Sequence, residues 1–146
     1  MEYEYSKVVE DLNKYISYCE SNGYILEKKS LQERTLYRNE NGTIARITIN
    51  DNNDKELDFK EDKMPNQELI VRKESLPIKF TDDEAINSIL IFLNYKKDNT
   101  LKRYRYVYIK GNVKFELDEY LEPEKKCVVA LEGDKELVDK IWNEIN

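Results

Sequence analysis

Two glutamates near the start of the chain, Glu2 and Glu4, alternate with Tyr3 and Tyr5. In a β-strand, side chains two residues apart point to the same face, so the two carboxylates would lie side by side. Paired carboxylates of this kind bind hard divalent cations, which prefer oxygen ligands. A single acidic strand is more often a polar sheet edge that faces water, so the other strands must decide between these interpretations.

The chain contains no histidine, and this restricts the chemistry that it can perform. Imidazole is excluded as a metal ligand, as the base that activates a serine or cysteine, and as a general base. Chemistry must therefore depend on carboxylates, lysine, arginine or tyrosine. Carboxylate sites favour magnesium, manganese or calcium, and phosphate groups commonly accompany magnesium.

Three helices are predicted from apolar residues at helical spacing. Gly23 follows the first helix at a position typical of a helix C-terminus. Thr81 and Glu84 fit a capping box at the start of the second. The predicted helices cover about 6–22, 81–95 and 135–145.

Apolar residues alternate with polar ones between the helices, which predicts strands. The turn residues 39–42 and Gly111-Asn112 each separate two such strands and predict hairpins. A helix followed by antiparallel strands occurs twice, so we predict an α+β fold in which two related halves form an antiparallel β-barrel or tunnel with flanking helices. The predicted strands cover 31–38, 43–50, 56–60, 67–74, 102–109, 113–120 and 126–132.

The two-residue turn at Gly111-Asn112 determines the register of its hairpin. Arg105 should face Asp118, and Val107 should face Glu116, on the side that also carries Arg103. The opposite side carries aromatic and apolar residues that we expect in the core. These are Tyr104, Tyr106, Tyr108, Phe115 and Leu117.

Charged residues of both signs also alternate along the strands of the first half. Each pair taken alone could be an exposed cross-strand salt bridge of little energetic value. Taken together they predict a lined cavity, in which basic side chains bind phosphate oxygens and carboxylates bind cations. The residues concerned are Glu2, Glu4, Arg34, Arg46, Asp58, Lys60, Glu68, Arg72 and Glu74.

In their order along the chain, these segments resemble the CYTH superfamily, also called triphosphate tunnel metalloenzymes. Glu2 and Glu4 resemble the family's E-x-E-x-K motif, with Ser6 at the lysine position. Residues 43–47 resemble its segment ending in R-x-R, with Thr48 in place of the second arginine, and residues 57–60 resemble the next strand with its lysine.

The resemblance continues in the second half of the chain. Residues 68–74 are similar to the family's acidic strand, and Arg103-Tyr104-Arg105 resembles its K-x-R segment. Residues 113–118 resemble a strand with a late acidic residue, and 128–132 resemble a second E-x-E element in which Ala130 replaces the first glutamate.

This family includes class IV adenylate cyclases, thiamine triphosphatases and inorganic triphosphatases. The resemblance implies hydrolysis of inorganic tripolyphosphate or an organic triphosphate in a charged β-tunnel, with Mg²⁺ or Mn²⁺. The replacements at Ser6, Thr48 and Ala130 leave open a non-catalytic nucleotide or polyphosphate receptor. Further alternatives are a class IV-type adenylate cyclase and a protein-interaction module that uses the chain's 11 tyrosines.

The resemblance also assigns candidate roles to individual residues. The implied catalytic residues are Glu2 and Glu4. The implied substrate-binding residues are Arg46, Lys60, Arg103 and Arg105, and the implied metal ligands are Glu4, Glu74, Asp118 and Glu132.

Composition defines the expected setting of this chemistry. The 146 residues suit one domain, 1–146, and the net charge of −6 disfavours binding to nucleic acid or an anionic membrane. A membrane span and a signal peptide are not indicated, so we expect a cytoplasmic protein with Cys19 and Cys127 as free thiols. The expected partner is a small triphosphate or nucleotide, and a homodimer is compatible with this prediction.

Overall fold

The computed structural model describes residues 2–62 and 69–146, with only the backbone described for Glu2 and residues 69–71. Three helices and nine strands occur in these ranges. The helices are α1 (Asn13–Ser21), α2 (Asp83–Phe92) and α3 (Lys135–Ile145). The strands are β1 (Glu2–Val9), β2 (Ile25–Arg38), β3 (Thr43–Asn50), β4 (Lys55–Glu61), β5 (Leu69–Arg72), β6 (Ile78–Phe80), β7 (Lys96–Lys110), β8 (Val113–Glu122) and β9 (Lys126–Gly133).

The described strands form one antiparallel sheet in the order β5-β1-β9-β8-β7-β2-β3-β4-β6. Strand β5 lies at one edge of this sheet, and the chain that follows it reaches β4 near the opposite edge, where Glu74 forms a β-bridge with Lys60. The amide of Glu61 donates to the Lys73 carbonyl at 3.0 Å, and the amide of Ser75 donates to the Phe59 carbonyl at 2.8 Å. The sheet therefore curls into a tunnel, which confirms the predicted fold class.

The two predicted halves are visible in the order of the elements. Each half contains one helix and three antiparallel strands: α1-β2-β3-β4 and α2-β7-β8-β9. The long strands β2 and β7 pair with each other between Ile25–Ile109 and Arg38–Lys96, and so join the halves. They have 14 and 15 residues, well beyond the usual strand length of about 5–6 residues.

The register of the β7-β8 hairpin agrees with the sequence prediction. Arg105 pairs with Asp118, and Val107 pairs with Glu116. Gly111 supplies the positive φ of +59° that the tight turn needs, a conformation that glycine adopts without steric cost. Fixing this turn fixes the face of every following side chain, because side chains alternate along a strand.

The aromatic side of the hairpin packs beneath α1 and α3, as expected. Tyr108, Phe115 and Leu117 are buried in a core to which the helices contribute Cys19 and Trp142. Tyr106 packs against the edge of that core. Tyr104 is the exception, since it is 36% exposed and not part of the buried cluster.

The other half has a smaller core beneath a single helix, α2. Its buried members are Ala45, Leu57 and Leu90. Ile86 and Tyr95 are partly buried against them. Helix α2 is consequently much more exposed than α1 or α3.

Several element boundaries differ from the predictions. The first helix begins at Asn13 rather than Ser6, because β1 continues to Val9 in its pairing with β9. The side chain of Asp82, not Thr81, caps α2 by accepting from the Ala85 amide at 3.0 Å. Strand β6 was not predicted, and the start of the strand expected at 67–74 lies outside the described residues. The third helix has the predicted bounds.

None of the helices in the described ranges is long and apolar enough to cross a membrane. Both cysteines are free, with Cys19 buried on α1 and Cys127 partly buried on β9, in agreement with the predicted free thiols.

Cys19 is expected to resist thiol reagents in the folded protein. Burial raises its pKa to about 12, with a smaller contribution from Glu20, and the reactive species is the thiolate. At pH 8 we expect mass spectrometry to show complete alkylation of Cys19 in urea and almost none in native buffer over the same time. Equal labelling under the two conditions would contradict the burial of this residue.

Candidate functional site

The inward faces of the strands surround a cavity of about 490 Å³ that is lined mainly by charged side chains. The two halves both contribute, so the charged faces predicted separately for each half share one space. We call this space the tunnel cavity.

Arg105 on β7 is neutralised by two carboxylates on β8. Its Nε and Nη2 donate to the two oxygens of Asp118, each at 2.8 Å, and its Nη1 donates to Glu116 at 2.8 Å. Burial alone would lower the pKa of Arg105, but the two carboxylates raise it well above its ordinary value. Arg105 is thus held rigidly by a bidentate and a further charged hydrogen bond.

A second ion-pair group lies on β3 and β4. Arg46 donates two hydrogen bonds to Asp58 and a third to Glu74, at 2.6 Å. Lys60 is 6% exposed and lies 3.4 Å from Glu4 and 3.6 Å from Glu74. Arg46 and Lys60, two of the predicted substrate-binding residues, therefore face the tunnel cavity with carboxylates as their present partners.

Arg34 differs from these basic residues, because no salt bridge joins it to a carboxylate of the described residues. Its Nε donates to the Thr48 hydroxyl at 2.9 Å. Burial lowers the pKa of Arg34 well below its ordinary value, and the nearby guanidinium groups of Arg103 and Arg46 lower it further. A positive charge in this environment would be stabilised by an anion.

Arg103 also has unused hydrogen-bonding capacity. It is 2% exposed, donates from Nε to Gln32 at 3.1 Å, and donates from Nη1 to the Tyr120 hydroxyl at 3.1 Å. Its buried Nη2 has no hydrogen-bond partner among the described residues. Leaving a buried donor unpaired costs about 1–3 kcal/mol, so a ligand that accepts a hydrogen bond from this Nη2 would bind favourably here.

Three carboxylates lie close together in the lining of the tunnel cavity. Glu4, Glu116 and Glu132 each place an oxygen within 4.8 Å of the others. The pairing of β1 with β9 sets Glu4 opposite Glu132, and β8 brings Glu116 beside them. Oxygen donors of this type fit Mg²⁺ or Mn²⁺.

The same carboxylates have cationic neighbours. Glu4 lies 3.4 Å from both Lys60 and Arg72, and Glu132 lies 3.3 Å from Lys114. These separations exceed the 2.7–2.9 Å or so of strong charged hydrogen bonds, so the groups are close without being tightly bound. Burial raises the pKa of Glu116, but Arg105 and a hydrogen bond with Glu132 bring it well below its usual range.

The structure brings only part of the predicted metal set together. Glu4 and Glu132 belong to the cluster of three, whereas Glu74 lies beside Arg46 and Asp118 beside Arg105. The side chain of Glu2 lies outside the described residues.

Arg34 and Glu116 line the tunnel cavity but were not among the residues to which the resemblance gave individual roles. The hairpin register had placed Glu116 on the correct face, and alternation had done the same for Arg34. Their neighbours could not be predicted from the sequence, because they lie on strands that are distant along the chain. Arg34 lies near Arg103 of β7, and Glu116 lies near Glu4 of β1.

Ser6 and Ala130, the two positions that depart from the E-x-E patterns, are direct partners in the β1-β9 ladder. Both line the tunnel cavity. Ala130 also pairs with Glu116 on β8. Ser6 and Ala130 therefore form one uncharged patch beside the carboxylate cluster.

Comparison with solved structures identifies the fold. The PH1012 protein of Pyrococcus horikoshii matches with a TM-score of 0.79 and 20% identity over 99% of this chain and 90% of its own. The candidate adenylyl cyclase HpAC1 of Hippeastrum, stated to have a dominant triphosphatase activity, matches with a TM-score of 0.69 and 15% identity over 99% and 85%. A chain of the Schizosaccharomyces pombe Mediator head module matches at 0.64 and 11% over 92% and 83%.

No protein-family model matches the sequence, and neither does any curated protein. At these identities the structural matches establish the fold alone. This chain accordingly has a CYTH-like α+β tunnel fold, which it shares with structures described as candidate adenylate cyclases, HpAC1 among them.

Proposed function

We propose that the tunnel cavity binds a triphosphate compound together with Mg²⁺ or Mn²⁺ and hydrolyses it. The observation that carries this proposal is that two arginines share one cavity with a cluster of three carboxylates. Arg34 has no salt bridge to a described carboxylate and donates only to the Thr48 hydroxyl, and the buried Nη2 of Arg103 has no hydrogen-bond partner among the described residues. The triphosphatase activity stated for HpAC1, which has this fold, supports it.

Several basic residues would together bind the phosphate groups. Arg103 would donate its unpaired Nη2 to a phosphate oxygen, and Arg34 would add a second guanidinium. Arg46, Arg105 and Lys60 would complete the positive wall. Asp118 and Glu74 would position Arg105 and Arg46 rather than bind metal, since each carboxylate already accepts from or lies beside its arginine.

Glu4, Glu116 and Glu132 would hold the divalent cation, and Glu2 remains a proposed catalytic residue. A bound cation would neutralise phosphate charge and polarise the phosphoryl group for attack by water. Lys60 and Arg72 would balance Glu4 in the absence of metal.

Phosphate release from tripolyphosphate and from ATP, with and without Mn²⁺, tests the proposal. We expect metal-dependent release by the native protein and a fall in kcat/KM of about 100-fold in Glu4→Gln and Arg105→Ala, as is common when a group that stabilises the transition state is removed. Glu119→Gln, an exposed change on the outer face of β8, serves as the control and should leave the rate unchanged. Metal-independent activity that survives both tunnel substitutions would reject the site.

Removing a carboxylate from the cluster should weaken metal binding directly. Glu132→Gln replaces one of the three proposed carboxylate ligands by a neutral amide while keeping the shape of the side chain. We expect calorimetric titration with Mn²⁺ to show an affinity about 10-fold or more weaker, because a charged ligand is replaced by a neutral one. Equal Mn²⁺ affinity in Glu132→Gln and Glu119→Gln would contradict the assignment.

The uncharged Ser6-Ala130 patch favours one alternative, a receptor that binds nucleotides or polyphosphate without turnover. This alternative predicts tight calorimetric binding of tripolyphosphate in magnesium and no phosphate release. Analysis of the ATP products separates both functions from cyclisation, which would release pyrophosphate. No binding of tripolyphosphate or nucleotide would reject the anion tunnel altogether.

A further inference from the structure

Helix α2 has a second apolar face that the fold leaves uncovered. Ile86 and Leu90 face the small core, but Ala85, Ile89 and Phe92 recur at i, i+4 and i+7 on another side of the helix. Phe92 is 83% exposed and Ile89 is 48% exposed. We define the outer face of α2 as Ala85, Ser88, Ile89 and Phe92.

The outer face is self-complementary in size. If two copies of α2 pair antiparallel about a two-fold axis between Ser88 and Ile89, Ala85 of each copy lies opposite Phe92 of the other. The large ring then meets the smallest side chain of the stripe, and Ser88 meets Ile89. A closed two-fold interface requires this kind of match, because the same surface must serve both subunits.

The charges that flank the outer face are also complementary. Asp82, Asp83 and Glu84 are exposed at the N-terminal end of α2, while Lys96 and Lys97 are exposed just beyond its C-terminal end. Antiparallel pairing brings the acidic end of one helix towards the lysines of the other. Parallel pairing would place like charges together.

We propose that the outer face of α2 pairs two copies of this chain into a dimer. The same features argue against a lipid surface as the occupant, since the acidic end and the overall charge of −6 would be repelled by anionic headgroups. The inference is independent of the proposed catalytic function, because the outer face contains none of the tunnel residues.

Sedimentation velocity of the full chain tests this dimer. We expect the native protein at about 50 µM, a concentration chosen for moderate affinities, to sediment at twice its chain mass of 17.5 kDa. Phe92→Asp and Ala85→Arg should each sediment as monomers with unchanged circular dichroism, because one buries a charge and the other fills the position that receives Phe92. Ile25→Asp, at an apolar position that is 72% exposed on β2, is the matched control and should remain dimeric.

A second arm examines the charges. Lys96→Glu combined with Lys97→Glu should weaken dimerisation about 10-fold, and salt should weaken the native dimer, since exposed charges are screened. A monomeric native protein, or dimers that persist in both Phe92→Asp and Ala85→Arg, would overturn the proposal. So would a native monomer that binds vesicles of phosphatidylcholine and phosphatidylserine through Phe92.

Discussion

Replacing Arg34 by methionine is expected to stabilise the protein without ligand and to weaken its binding of tripolyphosphate. Arg34 hydrogen-bonds to Thr48, and its charge is opposed by burial and by the guanidinium groups of Arg103, Arg46 and Arg105. Methionine keeps an unbranched, flexible side chain and removes this unfavourable charge. We expect the free energy of unfolding to rise by about 1 kcal/mol, the low end of the gain when buried ion pairs are replaced by apolar groups, because Arg34 is only partly buried.

The loss of affinity follows from the same charge. A hydrogen bond to an ionised group contributes about 1.5–3 kcal/mol, so the dissociation constant for tripolyphosphate should rise by about 10- to 150-fold. Urea unfolding without ligand and calorimetric titration with tripolyphosphate measure the two effects.

Arg38→Met is the matched control, since Arg38 lies outside the tunnel lining and pairs with Asp62 and Asp98. It should leave the affinity for tripolyphosphate unchanged and should not stabilise the protein. If Arg34→Met binds tripolyphosphate as well as Arg38→Met does, then Arg34 is not part of the anion site.

Replacing Asp118 by asparagine should have the largest effect on stability. Asp118 is 3% exposed, accepts two hydrogen bonds from Arg105 and lies 3.5 Å from Arg103. Without this charge, Arg105 and Arg103 lose a carboxylate that neutralises them. Removing one partner of a buried ion pair lowers the free energy of unfolding by about 3–5 kcal/mol. We expect the melting temperature to fall by about 10 °C, which calorimetry measures.

The pH dependence of stability gives a second signature of Asp118. Burial raises the pKa of this carboxyl, but Arg105 and its hydrogen bonds lower it below the ordinary value. A lowered pKa in the folded protein stabilises it above the unfolded value of about 3.9, and this contribution is lost as pH falls through the folded pKa. Asp118→Asn should therefore lose stability mainly at neutral pH and differ less from the native protein near pH 3.

Glu119→Gln is the neighbouring control, because Glu119 is exposed on the opposite face of β8. Surface changes of this kind usually alter the free energy of unfolding by less than about 0.5 kcal/mol. An Asp118→Asn protein as stable as Glu119→Gln at pH 7 would show that this ion pair contributes little.

Local pattern was sufficient for much of the fold. The Gly111-Asn112 turn and the alternation around it predicted the observed pairing of Arg105 with Asp118, and the apolar spacing of α3 predicted both of its ends. Prediction was weaker where local signals compete. Val8 and Val9 suit either a helix or a strand, and the pairing of β1 with β9, about 120 residues apart, decided for the strand.

The sequence by itself determined which residues carry charge on one strand face, because side-chain alternation is a property of each strand. Only the tertiary structure decided which charges meet. Glu4, Glu116 and Glu132 come together from three strands. Glu74 and Asp118, which were predicted as metal ligands, instead form ion pairs with Arg46 and Arg105. Arg34 lies among other guanidinium groups. Those outcomes depend on how the sheet curls and on the order of its strands, which are set by long-range packing rather than by any single segment.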